Sequence, residues 1–154
     1  ITKILHEINS NQINPFSNDL NTVTAGYVEK DYIVRAEQWG QRWATTCDTM
    51  LSEELKIIVF LQPILGSSDR MMSEHEKGLI HKNAKQDLDH YYLYKEQLSK
   101  IDSHCTSAID ISNTFKNNNI PLFTDLIHTG SYANNIIAEK IYEKITPIII
   151  EDIP

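Results

Sequence analysis

At 154 residues the chain has the length of one domain with a real core, and 41% hydrophobic with 23% charged residues is the composition of an ordinary globular protein. A net charge of −7, with no cluster of Lys and Arg, excludes a general nucleic-acid binder, because phosphate affinity rests on clustered cations. The longest apolar runs, residues 57–61 and 148–150, are far too short for a membrane span.

Residues 1–30 read as a loop-rich N-terminal segment, with a short helix at 1–8 and an Asn/Ser/Thr/Pro-rich stretch at 10–24. From Asp31 the pattern turns helical. Ala36, Trp39, Trp43, Cys47, Met50, Leu51 and Leu55 recur at three- and four-residue steps and mark one buried face, with Gly40 weakening the helix without breaking it. Ile57-Ile58-Val59-Phe60-Leu61 is short, continuous, β-branched and apolar, the signature of an interior parallel strand. Pro63 has no N–H to give a ladder, so the strand stops near Gln62.

Residues 66–72 form a polar loop. Ser73 and Glu76 have capping-box spacing and start a long helix that runs to about Cys105, with Ala84, Leu88, Tyr91, Leu98, Ile101 and Cys105 inward. Residues 108–111 form a short strand and residues 115–119 a turn. Pro121-Leu122-Phe123 leads into Thr124-Asp125-Leu126-Ile127-His128, and a last helix over 132–145 buries Ile136, Ile137, Ile141 and Ile145. Cys47 and Cys105 both fall in expected helices and read as buried apolar side chains rather than a disulfide, so they fix no compartment.

Helix, strand, helix, short strand, helix is an α/β order. A buried strand needs parallel neighbours on both sides, and only one strand is well marked. The expectation is therefore a helix-rich part of a parallel sheet whose first strands precede Ile1.

The chemistry concentrates at Asp125 and His128. A carboxylate and an imidazole three residues apart cannot easily bond within a regular helix, but across a tight loop the acid can fix the tautomer of the ring and steady its charged form. Gln62, at the carboxyl end of the best strand, stands where open α/β sheets bind ligands and is a candidate substrate contact. Residues 66–80 are a candidate lid, with Met71 and Met72 as an apolar wall. Trp39 and Trp43, one turn apart, read as core. Asp87, Asp89 and His90 do not share a helix face, and no zinc-like spacing exists, so neither metal nor cofactor is expected.

The block Asp125-Leu126-Ile127-His128, followed by Ala133-Asn134-Asn135-Ile136-Ile137-Ala138, resembles the last motif of the SGNH (GDSL-type) hydrolase family, which reads Asp-x-x-His and then Gly-Asn-x-x-Ile-Ala. Ala133 stands where that family has glycine. Residues 57–66 resemble the family's fourth strand and its exit, and residues 107–115 the stretch before the last block, so the likeness spans about residues 50–147.

It implies a three-layer α/β/α, flavodoxin-like fold, with residues 31–154 as the C-terminal portion of a hydrolase domain. It also implies a serine esterase or acyl hydrolase in which His128 is the base and Asp125 the acid of a triad. The family's Gly-Asp-Ser and Gly-x-Asn blocks have no counterpart here. Gly66-Ser67-Ser68-Asp69 has the composition but the wrong place and order, and Ser17-Asn18-Asp19 lacks the glycine. The nucleophile is thus expected outside this chain, which alone should hydrolyse nothing, and the partner implied is a small ester or acylated substrate. A non-catalytic α/β or helical binding module is the alternative. Substrate, oligomeric state and compartment stay open.

Overall fold

In a computed structural model of the protein, residues 29–80 and 84–150 are described. The expected helix at 1–8, the loop at 10–24 and Ser17-Asn18-Asp19 lie outside them. The chain is mixed α/β and rich in helix, around a two-stranded parallel sheet. The elements are α1 (Glu29–Ser52), β1 (Ile58–Leu61), α2 (Glu74–Leu79), α3 (Ala84–Ile101), β2 (Ser107–Asp110) and α4 (Ser131–Ile150). The strands pair in register from Ile58 against Ser107 to Leu61 against Asp110.

Side chains alternate across β1. Ile57, Val59 and Leu61 face a cluster made of Cys47 from α1, Leu98 and Ile101 from α3, and Cys105, with Trp39 and Trp43 packed against its edge. Ile58 and Phe60 point the other way and are half-buried. The two tryptophans meet edge to face, and Trp39 meets Tyr94 in the same way, which is core packing as the spacing implied. At Gly40, α1 comes so close to α3 that a β-carbon would lie 2.8 Å from Gln97 Oε1 and 3.2 Å from Gln97 Cβ. The glycine is what lets the helices touch, and the helix tolerates it because packing supplies what propensity lacks.

Four expectations need correction. The cysteines are joined, Cys47 to Cys105 at a Cα–Cα distance of 4.8 Å. Cys105 is not helical; it lies in the turn after α3, which brings it back over α1. The long helix divides into α2 and α3, because Ile80 turns extended (φ −75°, ψ 111°) just after Gly78, a weak helix former in the last turn of α2. Leu51 and Leu55, placed on a buried face, are exposed: Leu51 lies in the last turn of α1, and Leu55 lies beyond its end at Ser52, after a left-handed turn at Glu54 (φ 59°), with its N–H bonded back to Met50 O.

The last helix continues through Pro147 to Ile150, and it buries only Ala133. Ile136, Ile137, Ile141 and Ile145 are half-buried. Its first turns pack into a second cluster with Leu65, Phe115, Leu122 and Phe123. Its far end reaches the amino end of β1, where Lys56 Nζ donates to Ile148 O at 3.3 Å. The helix therefore runs back against the strand direction.

Candidate active site

The Asp125–His128 segment is the tip of a narrow loop. Phe123 and Thr129 form an antiparallel bridge, Thr124 N–H donates to His128 O at 2.9 Å, and Gly130 N–H donates to Leu122 O at 3.0 Å. Across this tip the two side chains meet as the spacing implied. Asp125 Oδ1 accepts from His128 N–H at 2.7 Å and Ile127 N–H at 2.8 Å, while Oδ2 lies 2.7 Å from His128 Nδ1.

The His128 and Ile127 amides, and then the imidazole, hold the Asp125 carboxyl down to about 2. An ionised carboxylate can only accept, so in its neutral form the ring carries its proton on Nδ1 and its lone pair on Nε2. His128 is 76% and Asp125 55% exposed, so that lone pair is open to an incoming group. A second pair, His104 with Asp48 at 3.0 Å, ties the turn after α3 to α1.

The loop is held from behind. Leu65 N–H, just past β1, donates to Leu126 O at 2.9 Å. Glu76, fully buried on α2, accepts from Leu122 N–H at 2.9 Å and Phe123 N–H at 3.3 Å through Oε1, which also pairs with Arg70. Its Oε2 closes the expected capping box on Ser73. Burial pushes the Glu76 carboxyl up, but Arg70 and the Leu122 and Ser73 donors outweigh it and bring it to about 2. Arg70 also donates to Ile120 O at 3.2 Å and Asn118 O at 3.4 Å. Residues 66–80 are thus built into the wall behind the loop, with Met72 packed into the second cluster and Met71 78% exposed.

Beside the loop lies a cleft of about 450 Å³, within the range of small-molecule sites. Leu126 and Ile127 form one side, Ile64 and Leu65 the floor, Leu88, Tyr91 and Tyr94 of α3 another side, and Tyr32 and Arg35 of α1 the rim. It sits at the carboxyl end of β1, where parallel sheets present ligands. Gln62 is not among its lining residues. That side chain is exposed, and its backbone carbonyl accepts from Tyr91 Oη at 2.8 Å.

Sequence reasoning missed the polar cluster at the strand ends. Asp110 Oδ2 lies 2.7 Å from Lys95 Nζ, and its Oδ1 accepts from Ser112 N–H at 2.8 Å. Burial raises the Asp110 carboxyl, and the Lys95 and Ser112 contacts more than reverse it. Burial beside Asp110 pushes the Tyr91 phenol well above its usual range. Ser67 and Ser112 are both buried, and the Ser67 hydroxyl is engaged with Ile64 and Ser112 carbonyls. Neither presents a nucleophile toward solvent. The Asp110-x-Ser112 spacing at a strand end was the available signal, and it is too common to single out.

Among the described residues no group of three His, Cys, Asp or Glu is arranged to hold a metal, and no helix is long and apolar enough to cross a membrane. In comparisons with protein-family models, curated proteins and solved structures, the chain matches none.

Proposed function

We propose that this chain supplies the acid and base of a serine hydrolase of the SGNH type, acting on a small ester or acylated substrate, in a three-layer flavodoxin-like domain. The observation that carries the reading is the 2.7 Å contact of His128 Nδ1 with an ionised Asp125, which leaves Nε2 basic and exposed. In that chemistry His128 takes the proton of an attacking serine and returns it to the leaving group, while Asp125 keeps the ring in the productive tautomer. The cleft at Leu126 and Ile127 is the natural seat for the acyl part.

Two features of the fold support the same reading. β1 pairs on one edge only among the described residues, and parallel sheets are ordinarily wider and covered on both faces. The closing helix α4 runs back from the loop to the amino end of β1, as a crossover layer does. The serine and its oxyanion donors would come from polypeptide outside the described residues.

One observation favours a non-catalytic binding module instead. Among the described residues no hydroxyl is hydrogen-bonded to His128 Nε2, and Asp125 has local work in capping two amides of its own turn. The test is turnover of p-nitrophenyl acetate, by this chain alone and by any longer polypeptide in which Gly-Asp-Ser precedes it. The hydrolase reading expects no turnover from the first and His128-dependent turnover from the second. No turnover from the longer polypeptide favours the binding module, and turnover indifferent to His128→Ala overturns His128 as the base.

A further inference from the structure

We propose that Glu76, backed by Arg70, is a positioning residue for the Asp125–His128 pair, an inference that rests on the reading of that pair as the functional centre. Leu122 and Phe123 are 3% and 4% exposed, so each N–H needs an acceptor inside the protein. For both, that acceptor is Glu76 Oε1. These two residues are the incoming arm of the loop, and Asp125 follows Phe123 by two positions. The returning arm is tied to the incoming one through Gly130 N–H to Leu122 O, and the tip through Leu65 N–H to Leu126 O. Without Glu76, Leu122 and Phe123 keep only their hydrogen bonds to the returning arm, and the loop that aligns Asp125 with the ring loses the acceptor that fixes its incoming arm to α2.

A carboxylate is needed for this. Glu76 takes five donor contacts, from Arg70, Leu122 N–H, Phe123 N–H, and the N–H and hydroxyl of Ser73. A carboxylate offers two oxygens with about four lone-pair sites for them, whereas an amide offers one oxygen. Stability alone does not demand the arrangement, since a buried ion pair is often replaceable by apolar side chains of similar volume. An apolar pair cannot give Leu122 and Phe123 their acceptor.

The experiment uses two variants of the whole chain. Arg70→Met with Glu76→Leu removes both buried charges together. Glu76→Asp keeps both charges but draws the carboxylate back by one methylene from the Leu122 and Phe123 amides. Imidazole 15N shifts at alkaline pH report which ring nitrogen of His128 carries the proton, and amide exchange reports Leu122 and Phe123. A merely stabilising role leaves the tautomer alone in any folded variant. The positioning role predicts that folded variants lose the dominance of the Nδ1-protonated form and exchange the Leu122 and Phe123 amides about 10- to 100-fold faster, as for buried donors without acceptors. A native tautomer in either folded variant overturns the proposal. Absence of the Nδ1-protonated form from the unsubstituted protein overturns the Asp125–His128 pair itself, which is a different failure.

Discussion

Breaking the Cys47–Cys105 bond is expected to cost the fold about 4 kcal/mol. The bridge spans a sequence separation of 58 and ties the carboxyl-terminal part of α1 to the turn before β2. Closing a loop of that size in the unfolded chain removes entropy worth about 4 kcal/mol at 25 °C in the chain-entropy account. That is a large part of the 5–15 kcal/mol usual for a domain. The thiols of the reduced protein stay among Val59, Leu98 and Ile101, so reduction isolates the loop effect from lost packing. Replacing both cysteines with alanine adds a cavity at Cys47, which is fully buried, and is expected to cost more.

The assay is urea unfolding followed by far-UV circular dichroism, with and without a phosphine reductant. At a typical slope of about 2 kcal/mol per molar urea, the midpoint falls by about 2 M on reduction. An unchanged midpoint, or two thiols that react in the native unreduced protein, refutes the reasoning. A bond of this kind also implies folding under oxidising conditions.

Other consequences follow from individual contacts. Asp125→Asn keeps an oxygen for the His128 and Ile127 amides but turns an NH₂ toward the ring, so His128 must present a lone pair at Nδ1; its 15N spectrum is expected to show the Nε2-protonated form. Glu76 has a folded-state value of about 2 against an ordinary 4.5, so the stability it contributes is complete above pH 4.5 and lost as pH falls toward 2. The linkage is worth about 3 kcal/mol, and acid unfolding curves of Glu76→Gln should lack that component. Gly40→Val drives a side chain into Gln97 and is expected to cost about 1–3 kcal/mol in thermal or urea unfolding, with part recovered when Gln97→Ala is added.

What could be read from the residues was local. Residues 57–61 announced a strand by a β-branched run after a helix, residues 108–111 gave a weaker signal, and both strands form within one residue of those bounds. Ser73 with Glu76 announced a helix start by a spacing that is itself the hydrogen-bond geometry. Asp125 and His128 were legible because their contact spans only three residues and a tight loop closes it. What depended on distant chain was not. Cys47 and Cys105 meet only because α1 packs on α3, and Glu76 reaches Leu122 and Phe123 across more than forty residues. The same carboxylate that signalled a cap hid its larger role, since a capping box explains one oxygen and is silent about the other. The break after Leu79 was masked by apolar periodicity that continues in step through it.

The central claim is that Nε2 of His128 serves as a base, and ester turnover tests it most directly. In a polypeptide that joins this chain to an upstream Gly-Asp-Ser segment, hydrolysis of p-nitrophenyl acetate is expected to fall roughly ten-thousand-fold with His128→Ala and to a similar degree with Asp125→Asn. Full turnover with the imidazole removed contradicts the account.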